Sequence, residues 1–116
     1  MDEAAALALI ARAREETARL AASLARQRDG IVEASEFTSN DDEHDPEGVT
    51  IAFERAQVQA LLRQAQDDLA DLDRAVERVR AGTYETCERC GGPIGHERLA
   101  ALPATRICIG CANKAR

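Results

Sequence analysis

From Val58 to Val79 the chain reads VQALLRQAQDDLADLDRAVERV, with apolar side chains at Val58, Leu62, Ala65, Leu69, Leu72, Val76 and Val79. The steps alternate between four and three, the heptad spacing that keeps one stripe of a helix against a partner helix. Gln, Asp and Arg fill the other faces, and Ile51 extends the stripe backwards across an interruption at Arg55. The ends of this helix are also legible. Asp45-Pro46-Glu47 offers a capping carboxylate, a proline at the first helical position and an acid in the first turn, and Gly82 is a natural stop. The pattern predicts a helix over about 46–81, on the order of 50 Å long. Ala6, Ile10, Ala13, Thr17, Leu20, Leu24 and Gln27 repeat the spacing with smaller side chains, in a segment free of glycine and proline before Gly30. The expected fold is mainly α: an antiparallel coiled-coil hairpin with helices at about 2–28 and 46–81 and a loop at about 29–45. Pairing of the stripes between two chains is the alternative. Both stripes lie in one chain with a connector long enough to reverse it, so a monomer is expected.

Composition supports helices over sheets. Phe37, Phe53 and Tyr84 are the only aromatics among 116 residues, and Ala and Leu dominate the apolar set, which favours close-packed helices. The formal charge of −6 opposes general affinity for nucleic acid, whose phosphates repel it. Much of that charge sits in the connector: Glu33, Glu36, Asp41, Asp42, Glu43, Asp45 and Glu47 fall in a stretch without lysine or arginine. An acidic loop is ordinarily a solvated loop, and this one lacks the alternating acids and fixed glycine of an EF-hand. The apolar run Ala4–Ala11 follows two acids and is too short to span a bilayer, so a cytoplasmic location without membrane attachment is expected.

The chemistry lies at the other end. Cys87/Cys90 and Cys108/Cys111 form two CxxC pairs with seventeen residues between them. In a reducing compartment such pairs read as a metal site before they read as disulfides. Zinc takes four tetrahedral ligands, and thiolates supply softness and charge. Gly91 and Gly92 follow the first pair, where the chain must turn sharply. Ile94, Leu99, Leu102 and Ile107 make a minimal apolar cluster, too small to fold unaided, so one structural Zn2+ would supply the missing stability. Four thiolates close the shell, which leaves no open position for catalysis, and His96 reads as a surface residue. No nucleophile and base stand together, so the chain is not expected to be an enzyme. The predicted organisation is a hairpin over 1–81 and a four-cysteine zinc-finger module over 82–116.

GTYETCERCGGPIG, followed by RLAALPATRICIGC and preceded by a hairpin with an acidic turn, resembles the DksA/TraR family of bacterial transcription regulators. The cysteine spacing, the GxPIG after the first pair and the RLxxxP before the second agree together, over about residues 40–111. The resemblance implies a protein that binds RNA polymerase rather than DNA, inserts its coiled coil into the secondary channel and alters promoter-complex stability or initiation. The family tip motif DxxDxA meets Asp42 and Asp45 here, with Glu47 where alanine is expected; these two aspartates are the candidate acting carboxylates. Relatives that respond to guanosine tetraphosphate carry basic residues at positions occupied here by Leu102 and Ala112, so nucleotide binding at that site is expected to be absent or weak.

The docking end would be mildly basic through Arg89, Arg98 and Arg106, with Lys114 and Arg116. A tip of carboxylates near a catalytic magnesium would bias mobile elements between states, a population shift rather than catalysis. The alternative is a zinc-ribbon and coiled-coil adaptor that recruits another protein. Direct sequence-specific DNA binding fits poorly, since neither stripe helix has a continuous basic face.

Overall fold

The computed structural model describes residues 1–36 and 46–114, with side chains over 1–33 and 48–114. Asp42 and Asp45 lie outside the described residues. Four helices occur among the described residues: α1 (Glu3–Glu36), α2 (Pro46–Ala81), α3 (His96–Ala101) and α4 (Ile109–Lys114). Among the described residues the only pairing of strand type is an isolated antiparallel bridge between Thr86 and Pro93. The chain is mainly helical, as its heptad stripes require.

Asp2 caps α1: its Oδ1 accepts the Ala5 N–H at 2.6 Å and its carbonyl accepts the Ala6 N–H at 3.0 Å, satisfying donors that the first turn leaves open. The expected stop near residue 28 does not occur. The helix runs on through Gly30 to Glu36, because one interior glycine costs only about 1 kcal/mol relative to alanine and nothing else in the segment breaks the helix. α2 begins at Pro46 and ends at Ala81, where the sequence placed both ends. Its C-terminus is a Schellman turn: Gly82, at φ +78°, donates to the Val79 carbonyl at 3.1 Å and Thr83 donates to the Arg78 carbonyl at 2.9 Å. Only glycine enters that left-handed conformation without penalty.

The chain forms two compact units, Met1–Glu16 with Asp68–Arg116, and Thr17–Asp67. In the first, α1 and α2 run antiparallel, since the Met1 amine meets Glu85 at 3.3 Å and Arg14 Nε meets Asp73 Oδ1 at 2.8 Å. The Arg14 hydrogen bond also lowers the Asp73 carboxyl below its usual range. That pair is exposed and screened by solvent, so the packing beneath it does the holding. Ala6, Ile10, Leu72, Ala75 and Val79 form one apolar cluster with Tyr84, Cys87, Ile94, Leu99 and Cys111. The helix bases and the cysteine module therefore share a core.

In the second unit Leu24, Leu62 and Ala65 pack together with Ala21, Ala25 and Val58. Here the stripe expected on α1 is corrected at two positions: Leu20 is 54% exposed, with Ala21 in the inward place, and Gln27 is exposed too. A strict heptad drifts by about 20° per repeat on a straight helix, so the contact line moves one residue along. Replacing Ile10, which is fully buried, with alanine is expected to cost ~2–5 kcal/mol in urea unfolding. Leu20→Ala is expected to stay within ~0.5 kcal/mol; equal losses at the two sites would show that Leu20 is packed after all.

Candidate metal centre

Each half of the cysteine site is held by its own local turn. Cys87 donates its N–H to the Gly92 carbonyl at 2.8 Å and accepts the Gly91 N–H on its carbonyl at 2.9 Å. Gly91 sits at φ +73° to close this turn. At Gly92 there is little room for a side chain, since a Cβ there would stand 3.3 Å from Cys90 Sγ. Cys108 lies just before α4 and Cys111 within it. The backbone N–H of Gly92 points at Cys90 Sγ at 3.4 Å, and that of Cys111 at Cys108 Sγ at 3.5 Å. Backbone donors aimed at sulfur favour the thiolate that a metal requires.

The four Sγ atoms lie within 4.8 Å of one another, with Cys90 and Cys108 3.7 Å apart. Zinc–sulfur bonds of about 2.3 Å in a tetrahedron need sulfurs roughly 3.8 Å apart, so the set fits that ion. The electrostatics of the thiols agree. The Cys90 and Cys108 backbone N–H groups hold the Cys87 thiol down to about 6, whereas the hydrogen bond with Cys108 and then burial push Cys111 up to about 12. Four sulfurs this close do not all carry charge without a cation among them. Cys87 and Cys111 are buried, Cys108 half-buried and Cys90 exposed, which makes the Cys90 edge the open one. The cluster is a site for one structural zinc, which would staple the two loops.

The remaining candidates are placed as follows. His96 opens α3, is exposed, and contacts Glu85 rather than the sulfurs. Arg89 and Arg106 are exposed, and Arg106 lies 3.9 Å from Glu88. Arg98 is different: its Nε donates to the Ile107 carbonyl at 2.9 Å and its Nη2 to Thr105 Oγ1 at 3.5 Å, so its guanidinium is engaged inside the module. Leu102 forms the C-cap of α3 and is 50% exposed, outside the apolar cluster that holds Ile94 and Leu99. Ala112 is half-buried in α4.

Two structural residues escaped the sequence pattern. Tyr84 is buried and donates its hydroxyl to the Pro103 carbonyl at 2.7 Å, and burial raises its pKa so that the donor stays protonated. Arg78 reaches from α2 to the Ala104 and Thr105 carbonyls. Its position between the stripe residues Val76 and Val79 looks like an ordinary solvated arginine in sequence.

Comparison with known proteins agrees with this centre. Residues 82–116 match the prokaryotic DksA/TraR C4-type zinc finger. General stress protein 16O of Bacillus subtilis is 30% identical over 77 residues, covering 66% of this chain and 47% of that protein. YteA of the same organism is 36% identical over 62 residues, 53% of this chain and 26% of the relative. The chain thus spans less than half the length of these curated relatives. The solved structure of transcription factor DksA2 from Pseudomonas aeruginosa superposes with a TM-score of 0.79 at 23% identity, over 97% of this chain and 81% of the other. At that identity the likeness speaks for the fold. Residues 82–116 thus carry a C4-type zinc finger of the DksA/TraR kind, on a chain that shares the fold of DksA2.

Proposed function

We propose that the protein regulates transcription by binding bacterial RNA polymerase and inserting its coiled-coil tip into the secondary channel, where it modulates promoter-complex stability or initiation. The supporting observation is the pairing of a DksA fold with a DksA/TraR C4-type finger in one short chain. The family consists of regulators rather than enzymes, and a zinc centre closed by four thiolates suits that reading. The exposed Arg89 and Arg106 are the cations of the proposed docking end, with Arg98 holding the module in shape. Asp42 and Asp45 are the proposed acting carboxylates. The site of action is the cytoplasm, and no described helix is long and apolar enough to cross a membrane.

Mixing the purified protein with RNA polymerase and running the mixture on a sizing column tests this directly. The expected result is co-migration at low salt that weakens as salt screens the docking cations. Guanosine tetraphosphate is expected to leave the complex unchanged, since Leu102 and Ala112 offer no charge for its phosphates. A protein that elutes alone at every salt concentration, while pull-downs return some other partner, favours the adaptor reading instead.

A further inference from the structure

The segment Pro103–Ile107 leads from α3 into Cys108, and it belongs to no helix or ladder. Its carbonyls are nevertheless all taken. Tyr84 donates to Pro103, Arg78 Nη2 to Ala104 at 3.4 Å and to Thr105 at 3.1 Å, and Arg98 to Ile107. The Glu88 N–H donates to the Arg106 carbonyl at 2.9 Å, which ties this strap to the residue next to Cys87. Of these donors only Arg78 stands on a long helix. Its own carbonyl is the acceptor of the Schellman turn, taking the Thr83 N–H. One residue therefore fixes the end of α2 through its backbone and the approach to Cys108 through its side chain. A single guanidinium nitrogen, Nη2, serves the two successive carbonyls, and the delocalised, weakly hydrated guanidinium tolerates partial burial better than a lysine ammonium does. The guanidinium is partly buried, and burial is the largest influence on its titration, lowering it. Removing such a group leaves two partly buried carbonyls without their donor.

We infer that Arg78 is the positioning residue that couples occupancy of the cysteine cluster to the firmness of the last turns of α2. Metal anchors Cys108, Cys108 anchors the strap, and the strap is held to α2 by Arg78 Nη2. This goes beyond any reading of polymerase binding and stands independently of it. The rival route is the shared apolar core, in which Val79 and Leu72 also meet residues of the module.

Hydrogen–deuterium exchange over residues 74–81, read on the full chain with zinc and after chelation, separates the two. In the wild type, chelation is expected to speed exchange there about tenfold. In Arg78→Met the same amides are expected to lose most of that metal dependence, with only the share carried by the common core remaining, while cobalt titration still gives the visible spectrum of four thiolates. Arg98→Met, which loosens the strap from α3 only, is expected to keep the metal sensitivity of 74–81. Should Arg78→Met fail to take cobalt, Arg78→Lys serves in its place, with a reduced difference expected. A wild type insensitive to chelation, or an Arg78 variant as sensitive as the wild type, overturns the inference and hands the coupling to the apolar core.

Discussion

Stripping the cysteine cluster of its metal is expected to disorder residues 83–114 while most of the far-ultraviolet helical signal survives. The helices explain the second half of that expectation. α1 and α2 hold 34 and 36 residues, whereas α3 and α4 hold six each. The first half follows from energetics. Metal binding in small zinc modules is worth ~10–16 kcal/mol, comparable to the ~5–15 kcal/mol that holds a whole domain folded. Tyr84, Ile94 and Leu99 are the module's main buried apolar residues besides its cysteines, and they cannot replace that contribution.

Trypsin reports the change at a single bond. Arg98 is engaged by Ile107 and Thr105, so cleavage after it is expected to be slow with zinc and rapid after chelation or in Cys87→Ser. Resistance that outlasts metal removal would mean that the shared core, not the metal, folds the module. The pH dependence has a definite sign. Zinc takes only thiolates, and Cys111 keeps its proton up to about 12 in the absence of a cation. Binding near neutrality therefore releases protons, and zinc retention falls as the pH is lowered toward and below the Cys87 value of about 6.

The second large effect is expected in function with little change in fold. Replacing Asp42 and Asp45 together by asparagine removes two charges from an already acidic connector and leaves both heptad stripes intact. Polymerase binding is expected to survive, because docking is assigned to the other end of the chain. The effect on promoter-complex lifetime is expected to fall about tenfold, which corresponds to ~1.4 kcal/mol of bias between two states. Transcription assays with the double variant decide this. Regulation equal to that of the wild type removes the carboxylates from the mechanism and leaves the polymerase reading to stand on binding alone.

How the helices and the metal centre could be read so far ahead has a physical basis. A heptad stripe is a local repeat whose period matches the helix, so Leu62, Ala65, Leu72 and Val79 declare their burial without reference to anything distant. Pro46 and Gly82 act on their own backbone torsions, and the ends of α2 fall where they stand. Two CxxC pairs carry their chemistry in spacing, because each turn presents both sulfurs to one ion.

What sequence alone determined was thus set by near neighbours: helix type, the boundaries of α2, the ligand set and the acidic connector. Tertiary structure decided the matters that depend on residues far apart in the chain. It made Ala21 rather than Leu20 the inward residue of α1, because helical drift is resolved only against an actual partner. It joined Ala6 and Ile10 to the cysteine module in one core, since a small finger buries its apolar residues against whatever surface lies beside it. It also turned Arg78 from a solvated helix residue into a donor for two carbonyls more than twenty positions away. A hydrogen bond of that span leaves no periodicity behind, because it depends on where the fold brings two backbones and not on any repeat along one of them.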